Sequence, residues 1–127
     1  MEEKPLHVQV WEALTGQVAE LREKCIDSLP VPVWCAPDGV AVPRYDTDRE
    51  AQLGLQLVVA RHPRCEEVRI GWCDDQGGPA HWLIQVFMCY GSGNIDEAWA
   101  DGETFGAALC QAALRFYGAL AEEQQHG

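Results

Sequence analysis

His62, Cys65, Cys73 and His81 are the residues of this chain best suited to hold a metal, because zinc takes four nitrogen or sulfur ligands in a tetrahedron. Their H-x2-C-x7-C-x7-H spacing matches no common zinc knuckle, and only His62 and Cys65 have a chelate-like separation. The bland reading is a helix-terminal histidine with unlinked thiols, so the expectation is no bound metal and no cofactor. The four remain a candidate set because a predicted hairpin would put all of them at one end of one sheet face. Glu66, Glu67, Asp74 and Asp75 form a second group. Paired catalytic carboxylates need a cleft that drives their pKa values apart, and a calcium loop needs ligands at regular offsets closed by a Glu. The DDQGGP stretch supplies neither and reads as a solvated hairpin tip.

Nucleophilic chemistry has little to build on. The chain contains no nucleophile-elbow serine and no phosphate-cradling glycine loop, and the glycines of GSGN lack a strand-to-helix context. A reactive cysteine needs positive charge nearby to lower its pKa, and little lies near Cys73 or Cys89. The expectation is a protein that is not an enzyme.

Charge is the feature that exceeds a generic domain. Nine Lys plus Arg against twenty Asp plus Glu give −11, beyond the net charge of about 2 to 8 that keeps a small domain soluble. Between residues 65 and 102 lie Glu66, Glu67, Asp74, Asp75, Asp96, Glu97 and Asp101 against Arg69 alone, whereas residues 30 to 64 balance at four and four. An acidic surface repels nucleic-acid backbone and anionic lipid, so neither is an expected partner. Trp99 lies within the acidic block and is an aromatic of the kind that anchors interfaces.

These residues must be positioned by one core, since 127 residues suit a single domain and 47% hydrophobic content suffices to fill it. Trp11, Leu14, Val18, Leu21 and Cys25 recur at helical steps, which predicts a first helix over 8–29, ended by Pro30 and Pro32. Residues 30–46 read as a loop or two short edge strands, VPVWC and VAVP, joined at PDG and anchored by Trp34 and Tyr45, beside which a small-molecule pocket could form. Thr47 and Glu50 have capping-box spacing ahead of a helix over 48–61. Period-two patterning predicts strands at 66–73 and 81–90, with Trp72 facing Trp82 and Cys73 facing His81. A third strand over 95–100 and a helix over 103–120, capped by Asp101, complete the chain. Leu83 and Phe87 fall on the sheet's second face, so helices are expected on both faces: an α+β three-layer helix-sheet-helix sandwich with a small, mainly antiparallel sheet and three helices. Cys25, Cys89 and Cys110 are expected to be small buried hydrophobes.

Two segments carry a family resemblance. VPRYDTDREAQLGLQLV resembles the P-x-Y-S-T-D opening of the central helix of the phage ABA sandwich family, and ADGETFGAALCQAALRFYG is similar to its C-terminal helix. The resemblance covers about Trp34 to Gly118, with Asp46 where the family usually has Ser. It implies a layered helix-sheet-helix fold and a phage or prophage origin, and no particular activity. Together with the charge it leads to one expectation: an accessory protein of the bacterial cytoplasm that blocks a basic host protein through Glu66, Glu67, Asp74, Asp75, Asp96, Glu97, Asp101 and Trp99. The rival expectations are a small-molecule binder or residual enzyme using Trp34 and Tyr45, and a zinc-stabilised module.

Overall fold

The computed structural model describes residues 4–74, 80–89 and 95–126. The fold is α+β, with three helices and two small antiparallel sheets, one of two strands and one of three. Helix α1 spans Leu6–Thr15 and buries His7, Val8, Val10 and Trp11. It stops far short of the helix expected over 8–29. Gly16 adopts φ 74° and donates its N–H to Glu12 O, a left-handed cap that glycine takes without steric cost. Beyond it the chain forms strand β1 over Glu20–Ile26, paired with β2 over Leu29–Cys35.

Between these strands Asp27 and Ser28 both have positive φ, 52° and 65°, as a type I′ hairpin demands. Pro30 and Pro32 are two residues apart, so both missing donors fall on the outer edge of β2. Val18, Leu21 and Cys25, expected on a buried helix stripe, are exposed instead. The expected VPVWC and VAVP strands meet in part: Cys35 bridges Ala41, and Ala36 N–H donates to Val40 O around Gly39.

Helix α2 covers Arg49–Ala60 and buries Leu55 and Val59. Its cap is Asp48, whose carboxylate accepts from Glu50 N–H, rather than Thr47. Tyr45, just upstream, is a core residue at 6% exposure. Strands β3 (Cys65–Cys73), β4 (His81–Cys89) and β5 (Ile95–Gly102) form an antiparallel sheet in that order. The expected register holds: Trp72 faces Trp82 and Cys73 faces His81, with a bulge at Glu66. The tip around Asp75 and the YGSGN turn lie outside the described residues.

Helix α3 spans Phe105–His126. Thr104, not Asp101, caps it, its hydroxyl accepting from Ala107 N–H. Ala108, Leu109, Cys110, Ala112, Ala113 and Phe116 are buried against Ile84, Val86, Met88, Ala98 and Ala100 in one core that also takes in α1 and α2. The small residues allow close docking: a Cβ on Gly102 would meet Ala108 N at 2.8 Å, and one on Gly106 would meet Asp46 O at 2.0 Å. Both α2 and α3 pack on the sheet face that carries Trp82 and Ile84. Leu83 and Phe87, on the other face, are half-buried and lie outside that core, so the helix layer expected over them is not part of the packing described. On that face the Arg69 guanidinium lies over the Phe87 ring.

Candidate functional site

The pairing register sorts the acidic residues by face, because side chains directly opposite on neighbouring strands share a face. Glu67, Phe87 and Glu97 form one row across the three strands of the second face, followed by Arg69, Gln85 and Trp99, then Gly71, Leu83 and Asp101. The centre is therefore apolar and aromatic, with carboxylates on both flanks. Arg69 lies over the Phe87 ring at 5.0 Å and its Nε is 3.2 Å from Glu67 Oε2. Gln85 Nε2 donates to Glu97 Oε2 at 3.3 Å. Arg115 reaches from α3 to the Trp99 carbonyl, its guanidinium 5.7 Å from the Trp99 ring, and Trp99 is still 46% exposed. His81 Nε2 lies 3.8 Å from Asp101 Oδ2. A shallow depression lined by Glu66, Glu67, Arg69 and Phe87 opens at one end of this face.

The other acids among the described residues are dispersed. Glu66 sits at the bulge, Asp74 just past the end of β3, and Asp96 opposite Met88 on the row of the other face. Of the seven acids expected in one patch, the register brings Glu67, Glu97 and Asp101 together around Phe87, Leu83 and Trp99, and Asp75 lies outside the described residues.

The metal candidates are separated. Cys73 and His81 pair at one end of β3 and β4, whereas His62 and Cys65 flank the other end. Eight residues of strand at about 3.3 Å each put roughly 26 Å between the two pairs. The idea that all four share one end of the sheet is therefore incorrect. The His62 ring packs edge-on against Phe116, and its Nδ1 accepts from Arg64 N–H. Among the described residues, no group of three or more His, Cys, Asp or Glu could hold a metal ion.

Burial pushes the Cys110 thiol up to about 12 and also raises that of Cys65, so neither is poised as a thiolate. Cys25, expected to be buried, is exposed. Tyr117, likewise pushed up to about 12 by burial, has a buried hydroxyl without a hydrogen-bond partner among the described residues. Trp34 packs on the core beneath Lys4, whose Nζ is 5.7 Å from the ring, while Tyr45 is inside the core. The tyrosine's burial raises its pKa.

A cleft of about 450 Å³ opens elsewhere, between α2 and the sheet. Trp82, Phe105 and Leu53 give it an apolar lining, and Arg49, Gln52 and Gln56 add polar groups. Trp82 stacks edge-on with both Trp72 and Phe105, at 5.1 and 5.3 Å. Sequence reading missed this cleft, although Arg49, Gln52, Leu53 and Gln56 stand at i, i+3, i+4 and i+7 and so share a helix flank. Among the described residues, no helix is long and apolar enough to cross a membrane. Comparison with known proteins returned no matching family model, no matching curated protein and no matching solved structure.

Proposed function

We propose that this chain is a non-enzymatic accessory protein of phage or prophage origin that acts in the bacterial cytoplasm by occupying a basic, nucleic-acid-binding surface of a host protein. The observation that carries the reading is the second sheet face, where Glu67 and Glu97 flank Phe87 in one row with Trp99 exposed beside them. An apolar centre with a charged rim is the usual anatomy of a protein interface. The molecule's −11 charge would steer a basic partner towards it and compete with phosphate for the partner's Lys and Arg.

The experiment is capture of the host partner on the immobilised chain at about 50 and about 500 mM salt, with Glu67→Lys/Glu97→Lys alongside. Both positions are exposed, so the double variant should fold. The expected result is association slowed several-fold by the reversal and weakened by salt, since rim charges act mainly on association rate. Capture that is indifferent to both would overturn the reading.

A further inference from the structure

The outer stripe of α2 and the outer edge of β3 are each complementary to themselves. At 100° per residue, Glu50, Leu53, Leu57 and Arg61 share one stripe, opposite the buried Leu55 and Val59. Leu53 and Leu57 are 57% and 42% exposed, with an acid at one end of the stripe and a base at the other. An antiparallel copy of this stripe places Glu50 against Arg61 of the second copy at both ends, with Leu53 against Leu57 between them. A parallel copy would oppose like charges. Antiparallel pairing is what a two-fold axis produces.

The β3 edge obeys the same symmetry. It is the outer strand of its sheet, and among the described residues none hydrogen-bonds its outer side. Ile70 and Trp72, on the face that α2 covers, remain 41% and 53% exposed. A two-fold axis through Ile70 would set Ile70 against its own copy and Val68 against Trp72, a β-branched and aromatic cross-strand pair. The bulge at Glu66 bends the strand away before its carboxylates would meet, which confines pairing to residues 68–72.

We propose that this side is the interface of a homodimer, α2 packing antiparallel on its copy while the two β3 edges continue one sheet. The acidic face lies on the opposite side of the sheet and stays open in both copies, so this proposal does not rest on the function proposed above.

Sedimentation equilibrium of the full chain from about 1 to about 100 μM spans dissociation of a micromolar dimer. The expected mass at the upper end is twice 14.1 kDa. Leu57→Glu alters an exposed side chain, so it should keep the parent's circular dichroism while weakening association at least about tenfold. Glu50→Arg and Arg61→Glu should each weaken it, and the double variant should recover it. A monomer at the highest concentration, a dimer untouched by Leu57→Glu, or a charge swap without recovery would overturn the proposal.

Discussion

His7 shows how one buried polar residue ties pH to stability. It is 7% exposed, with Nδ1 3.8 Å from Asp46, which is itself held by two hydrogen bonds from Arg44. Burial, joined by the Arg44 charge, lowers the imidazole's pKa from 6.5 against the opposite pull of Asp46. Below pH 6.5 the unfolded chain binds a proton that the folded protein still refuses. The contribution is therefore present above that pH and is lost as pH falls through the lower folded value. The urea midpoint should drop between about pH 7.5 and 5.5, and His7→Asn, which cannot titrate, should flatten that slope. An unchanged slope would show that the imidazole is not the titrating group. Asp46 and Glu12 are also lowered, Asp46 first by its bond from Arg44. At Glu12 burial pushes upward but is outweighed by Lys4 and the Ala19 amide, so both lose their contributions only in more acid solution.

Among the elements, α3 depends most on what its residues lack. Gly106 lies against the backbone of Asp46, and a methyl group there would fall 2.0 Å from that carbonyl oxygen. Gly118, on the same helix, has nothing within 4 Å of the added atom. Gly106→Ala should therefore cost about 1–3 kcal/mol by forcing α3 away from the segment that precedes α2. Gly118→Ala should add about 0.5–1 kcal/mol through reduced backbone entropy. Urea midpoints moving in opposite directions would check both, and a neutral Gly106→Ala would mean that this contact yields easily. The β1 and β2 hairpin contrasts with α3: every residue of β1 is exposed, so pairing rather than burial holds that strand.

For the whole molecule, the excess of acid acts on stability as well as on partners. Exposed pairs such as Arg22 with Glu20 contribute little and weaken in salt, whereas repulsion among an excess of eleven negative charges weakens too. The excess outnumbers the ion pairs among the described residues, so the melting temperature should rise between about 20 and 300 mM sodium chloride. A flat or falling trend would mean that local pairs dominate. The salt response of partner capture has the opposite sign, which separates the two effects of the same charge.

The period-two pattern of Val68, Ile70 and Trp72 against Trp82, Ile84 and Val86 determined the central hairpin and its register, because a one-residue slip would turn the whole apolar set to the other face. The apolar spacing of Leu109, Ala113 and Phe116 likewise marked the core side of α3. The first helix was legible only to Gly16, since Val18, Leu21 and Cys25 continue its helical period although Val18 precedes strand β1 and Leu21 and Cys25 lie within it. Asp27 and Ser28 lack the Asn-Gly signature of the turn they form. Local pattern cannot choose between such states when the segment is exposed and makes no core contact. The acidic block was legible as composition, but its division into Glu67, Glu97 and Asp101 on one face and Glu66, Asp74 and Asp96 elsewhere required the register, the bulge and the strand ends. The cleft and the choice of sheet face were decided by where α2 and α3 pack, which depends on contacts between residues far apart in the chain that no local spacing encodes.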